Sequence, residues 1–128
     1  MEYFDVVMLL REKSMLKGNP SQELEVVIFI SIHVNASNNS DVEGFSVCCK
    51  KGDQKSKSLA KEISISNTLF TNRGLDERSD LYVLNKFAGT AVLIEAGFIS
   101  NTNDLSNMSN HTEKIAHEIA DGINNYIK

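Results

Sequence analysis

The sequence predicts a single α/β domain, residues 1–128, built on a mostly parallel β-sheet flanked by helices. Three observations predict it. Residues 26–32 and 90–94 are near-continuous apolar runs, the pattern of strands covered on both faces. Residues 112–127 place Ile115, Ile119 and Ile123 at i, i+4 and i+8, which is one apolar stripe on a helix. Strand-like and helix-like segments alternate between these two signals, as in crossover architectures.

Each element follows in chain order. Residues 4–10 (FDVVMLL) read as a short buried strand. Gly18-Asn19-Pro20-Ser21 marks a turn, because proline fixes φ while glycine and asparagine tolerate left-handed backbone. Residues 25–34 form the strongest strand, rich in Val and Ile, and residues 35–43 (NASNNSDVE) a polar loop. Residues 44–49 alternate enough for another strand. Residues 56–70 read as a helix, with Leu59, Ile63 and Phe70 at helical spacing and Ser56 or Ser58 available as a cap. Residues 80–84 (DLYVL) suggest a short strand, and residues 90–94 a further one that closes on Glu95. The helix over 112–127 ends the chain.

Composition excludes several classes of function. A net charge of -4 offers no electrostatic footprint for nucleic acid and no loose attraction to an anionic membrane. No run approaches the ~20 apolar residues of a membrane span. The apolar segment 6–10 is short and has acids upstream, unlike a signal peptide, so the chain is expected to carry no export signal of its own. Cys48 and Cys49 are adjacent and so point to opposite faces of a strand, which prevents their pairing. No CxxC spacing supports a thiolate zinc site. No GxSxG or P-loop motif occurs.

Two strands share one form, an apolar run ending in a single ionisable residue: FISIH at His33 and AVLIE at Glu95. If both run parallel in one sheet, the two residues emerge at the same carboxyl edge, where open α/β sheets place their ligand crevice. A histidine and a carboxylate there suit two metal ligands, or one ligand and one general base. A hydrogen-bonded surface histidine and a solvated glutamate account for the same spacing.

Three blocks in order carry a more specific signal: FISIHVNAS, then EGFSV, then NRGLDERSDLYVLNKFAGTAVLIEAGFISNTND. Over residues 26–127 the chain resembles the zinc-dependent N-acetylmuramoyl-L-alanine amidases, the family of bacterial autolysins, spore-cortex amidases and phage endolysins. The resemblance implies a zinc cofactor and peptidoglycan as substrate. It implies hydrolysis of the amide between the lactyl group of N-acetylmuramic acid and L-alanine, at the cell wall on the extracellular side. By position, His33 matches a zinc ligand, Glu95 the catalytic carboxylate, and Asn35 a substrate-binding residue. Gly97-Phe98-Ile99-Ser100-Asn101 match residues that shape the cleft.

The match also has gaps. The family's histidine in a DPGHGG-like loop and its glutamate at the start of the first helix have no counterpart here. Residues 4–11 resemble the family's second strand, so the expectation is a domain incomplete at its N-terminus, lacking the first strand and helix. Neither His111, at a helix start, nor His117, off the isoleucine stripe, is a suitable replacement ligand. Loss of a strand exposes a sheet edge, which predicts self-association. Two functions remain in view: a zinc amidase, and a non-catalytic domain that binds peptidoglycan or a full-length partner.

Overall fold

The computed structural model of the chain describes residues 3–12 and 24–128, with side-chain surroundings from Ile28 onward. Among these described residues, five strands and four helices follow in the order β1 (Tyr3–Glu12), β2 (Leu24–Asn35), β3 (Phe45–Lys50), α1 (Gln54–Ser66), β4 (Asn72–Arg78), α2 (Tyr82–Lys86), β5 (Thr90–Phe98), α3 (Thr102–Asn110) and α4 (Thr112–Ile127). The expected turn at 18–21 lies outside the described residues.

The strands form one sheet in the order β1-β2-β5-β3-β4. The α/β class is as expected, but the sheet is mixed rather than mostly parallel. β2 pairs with β5, and β3 with β4, in parallel; β1 against β2 and β3 against β5 are antiparallel. The link between β2 and β3, residues 36–44, is shorter than the roughly dozen residues of a parallel crossover. The chain therefore turns back and enters β3 running the other way.

Side chains alternate across this sheet, so each apolar run feeds two cores. Ile28 and Ile30 of β2, Val47 and Cys49 of β3, and Val92 and Ile94 of β5 pack with Leu59 and Ile63 of α1 and Ile119 and Ile123 of α4. Phe29, Cys48, Ala91 and Leu93 lie on the opposite face with Leu84 of α2. Ile28, Ile30, Val92 and Ile94 are each no more than 2% exposed. Such side chains contribute roughly 1.5–3 kcal/mol apiece when buried. The adjacent cysteines do divide between the faces. Burial, then the charges of Asp76 and Glu95, pushes the Cys48 thiol up to about 11, and burial raises Cys49 as well. Both thiols are free, buried and poor nucleophiles.

Four local expectations need correction. The cap of α1 is Asp53, whose carboxylate accepts both the N–H and the hydroxyl of Ser56. Ser56 instead ties helix to sheet, its Oγ accepting the N–H of Ala91 at 3.0 Å. Residues 80–84 are not a strand; α2 occupies Tyr82–Lys86, because Leu81, Leu84 and Phe87 at i, i+3, i+6 gather on one side over the second core. The strand is β4, whose sequence NRGLDER has no apolar run because it is a sheet edge. α3 also escaped notice, since Asp104 is its one buried residue and its surface is otherwise polar.

α4 lies against α1 at a close approach. A Cβ added to Gly122 would stand 2.6 Å from Ile63 Cα and 2.9 Å from Ile63 N, both backbone atoms that cannot swing aside. Replacing Gly122 with alanine brings about 1 kcal/mol of helix propensity. The forced separation of the two helices outweighs it. Gly122→Ala is expected to destabilise the fold by roughly 1–3 kcal/mol in denaturant unfolding. Equal or greater stability than the wild type would contradict this close packing.

Candidate active site at the sheet edge

The sheet register brings the two singled-out residues together. His33 of β2 is the Cα partner of Glu95 of β5, Glu95 is the partner of Ser46 of β3, and Ser46 of Gly74 of β4. Paired residues on neighbouring strands share a face. His33, Glu95 and Ser46 thus form one row at the carboxyl ends of β2 and β5. The next row inward, Ile32, Ile94, Val47 and Leu75, faces the α1–α4 core. One step along the strands separates the chemistry from the interior.

Each member of the pair has a local environment that tunes it. Ser31, fully buried and two residues before His33, places its Oγ 2.8 Å from His33 Nε2. Residues two apart on a strand project from the same face, so this bond follows from the strand itself. It engages the ring nitrogen Nε2 and fixes the plane of the imidazole. Glu95 is half-buried, and burial raises its carboxyl above the ordinary range. Attraction to His33 and then Arg78 pulls the other way, more weakly. Its Oε2 is out of contact with solvent and has no hydrogen-bond partner among the described residues. An unpaired buried carboxylate oxygen is costly. Arg78 is itself held by Asp80 in a two-point pair of 2.7 and 2.9 Å at the surface, which lowers the Asp80 carboxyl.

The rim beyond Glu95 is built by a bulge. His33 pairs with Glu95 but Asn35 with Phe98, so β5 carries one extra residue there. Gly97 takes φ +88°, and a Cβ on it would meet the Phe70 ring at 2.7 Å and Met108 Cε at 2.8 Å. Only glycine fits this position. After the bulge, Asn35 O accepts the N–H of Ile99 at 2.8 Å, and Ser100 Oγ accepts the N–H of Ser37 at 3.0 Å. The Asn35 side chain accepts the N–H of Ala36 at 2.9 Å, so it braces the loop that follows His33. Asn101 caps α3 by accepting the N–H of Asp104 and donates to Ser40 O. The GFISN block therefore shapes this rim through the Ile99 N–H and the side chains of Ser100 and Asn101, each bonded to neighbouring backbone.

His111 and His117 are both exposed and lie on or before α4, away from the row. Sequence reasoning missed Ser31, although a lone hydroxyl in an apolar run two residues before His33 was a visible signal. Asp104 had no such signal, because its partners lie in β5 and in the loop before β3.

A hydrolytic zinc takes three protein ligands and a water. Among the described residues, no group of three or more His, Cys, Asp or Glu is arranged to hold a metal ion. His33 and Glu95 offer one nitrogen and one carboxylate, a donor set too small for zinc. The pair by itself does not fit a zinc site. Among the described residues, too, no helix is long and apolar enough to cross a membrane.

Comparison with known proteins matches residues 10–125 to the N-acetylmuramoyl-L-alanine amidase family (Amidase_3). The chain belongs to that family. A Staphylococcus epidermidis protein named "Probable cell wall amidase LytH" is 35% identical over 101 residues, covering 77% of this chain and 34% of that one. Among solved structures, the CwlD amidase of Clostridioides difficile, determined in complex with the GerS lipoprotein, superposes with a TM-score of 0.72 at 36% identity. It covers 78% of this chain and 54% of its own. The catalytic domain of the CD27L endolysin, which targets Clostridia difficile, gives 0.70 at 35% identity, covering 77% of this chain and 54% of its own. The chain thus spans about a third of LytH and about half of each solved structure.

The raised Glu95 carboxyl has a consequence for stability. The folded state holds the Glu95 proton more tightly than the unfolded state, whose carboxyl titrates near 4.5. Between that pH and the raised folded value the native state binds more protons, so stability falls as pH rises through the window. Below the window Glu95 is protonated in both states and the penalty disappears. Glu95→Gln is therefore expected to raise the melting temperature at neutral pH and to match the wild type below the window. A melting temperature at neutral pH that is unchanged or lowered would contradict the strained carboxylate.

Proposed function

We propose that this chain carries the proton-transfer side of a peptidoglycan amidase site. Its reaction is hydrolysis of the amide between the lactyl group of N-acetylmuramic acid and the L-alanine of the stem peptide. The observation that supports the reading most is the pairing of His33 with Glu95 in one row at the sheet edge, within a chain of the amidase family. Amide hydrolysis needs a base for the attacking water and an acid for the departing amine. A half-buried carboxyl raised above its usual range suits both tasks in turn. Glu95 accepts a proton from water as the carbon–oxygen bond forms. It returns that proton to nitrogen as the carbon–nitrogen bond breaks. His33, held by Ser31, stands beside it. Asn35 braces the rim on which the muramoyl peptide would lie.

Zinc dependence belongs to the same proposal, with His33 as one ligand and the remaining ligands supplied from outside the described residues. The site of action is the cell wall, the setting that the name of LytH gives for that relative. Glu95→Gln should abolish the release of new L-alanine amino groups from purified peptidoglycan while leaving bound zinc in place. Loss of both together would make Glu95 a ligand instead. His33→Ala should lower zinc content, and unchanged metal stoichiometry would remove its ligand role.

The small donor set favours a second reading, a domain that binds peptidoglycan without cutting it. Sedimentation of the wild-type chain with wall material, with no soluble muropeptides released, would support that reading over the first. Self-association is also part of the proposal. β1 is an edge strand of ten residues whose pairing, among the described residues, is to β2 alone. A long edge of this kind presents a row of backbone donors and acceptors to a second copy. The melting temperature is expected to rise with protein concentration. A concentration-independent value with a monomeric sedimentation profile would argue against it.

A further inference from the structure

We propose that Asp104 positions Glu95, a role that rests on the reading of Glu95 as the proton carrier. Asp104 is 2% exposed and is the third residue of α3. One of its oxygens, Oδ2, accepts two backbone N–H groups, that of Phe98 at 2.8 Å and that of Gly44 at 2.9 Å. Its own N–H is donated to Asn101 Oδ1 at 3.0 Å, which locks the carboxylate to the helix cap.

The two donors come from the two strands that meet at Glu95, both on its carboxyl side. Phe98 lies three residues beyond Glu95 on β5, just past the Gly97 bulge. Gly44 directly precedes Phe45, the partner of Ala96, and Ser46 is the partner of Glu95. One oxygen therefore joins the outgoing end of β5 to the incoming end of β3. The register between Glu95 and Ser46 is thereby pinned at this end of the ladder, two residues from the pair on the β3 side and three on the β5 side. A charged acceptor suits two convergent donors better than a neutral one, and the N-terminus of α3 favours negative charge at this point. Gly44 completes the clamp. Its φ is +125°, and an added Cβ would lie 2.7 Å from both Arg73 Cγ and Thr71 O, so the approach needs glycine. Asp104 is a positioning residue, acting on Glu95 through the backbone.

The test uses the whole chain, with Asp104→Asn and Asp104→Ala compared by amide hydrogen exchange and nuclear Overhauser contacts. In Asp104→Asn the amides of Phe98 and Gly44 are expected to exchange about tenfold faster. Val92 and Ile63, in the core, should stay within about twofold of the wild type. The Glu95–Ser46 contact should weaken in the same variant, and more so in Asp104→Ala. If Asp104→Ala does not fold, the Asn variant decides by the same ratio of local to remote exchange. Unchanged exchange at Phe98 and Gly44, or equal acceleration at every amide, overturns the proposal. Where the wild type hydrolyses peptidoglycan, Asp104→Asn lowers kcat about tenfold with KM nearly unchanged, and an unaltered kcat also overturns it. A wild type that cuts nothing defeats the amidase reading alone, since the exchange ratios still decide the role of Asp104.

Discussion

The structure depends on one pairing, the parallel alignment of β2 with β5 in which Ile32 meets Ile94 and His33 meets Glu95. Side chains alternate with a period of two, so a slip by one residue would turn isoleucines outward and carry the ionisable pair into the core. The apolar residues of both strands oppose any such slip, because each strand contributes to a core on both faces. The register that fills the interior is thus the register that places a histidine beside a glutamate. Packing and chemistry are held by the same backbone bonds.

The end of the sheet is a second constraint, met by polar means in addition to apolar ones. Beyond Glu95 one more apolar row follows, Ala96 with Phe45, and a glycine bulge, a helix cap and a buried carboxylate then join it. These groups tie loop to loop across some sixty residues of sequence, as in the bonds from Ser37 to Ser100 and from Gly44 to Asp104. Hydrogen bonds are directional where hydrophobic contact is not. A rim built this way can hold Glu95 half-buried, with one oxygen unpaired, without closing over it. The strained carboxylate is a local cost that the surrounding fold supports.

Much of this was legible in the sequence, and the reasons differ by element. The strands through Val92 and Ile30 were visible because burial on both faces leaves near-continuous apolar runs. α4 was visible because one face is buried and the isoleucines recur with the helical period. β4 and α3 were not, because Arg73, Glu77 and Asn103 lie on exposed surface and write no hydrophobic pattern. α2 was mistaken for a strand because five residues are too few to separate the two periods. The edge position of His33 and Glu95 followed from the form of their strands. Ser31 and Asp104 act through space, and spacing along the chain carries little of that. The mixed direction of the sheet was lost for a similar reason: it turns on the short loop between Asn35 and Phe45, whose residues are polar in either topology.

For function, the arrangement separates two questions that family membership merges. Glu95 and its half-buried setting lie within the described residues, while no group of three or more metal-donor side chains is found among them. Both questions presuppose that His33 and Glu95 are neighbours. The most direct check is a nuclear Overhauser spectrum of the isotope-labelled chain, read for contacts between β2 and β5. The account predicts cross-peaks joining His33 to Glu95, Ile32 to Ile94, and Glu95 to Ser46. Contacts of His33 with Leu93 or Gly97 in place of Glu95 would mean a slipped register and would contradict it.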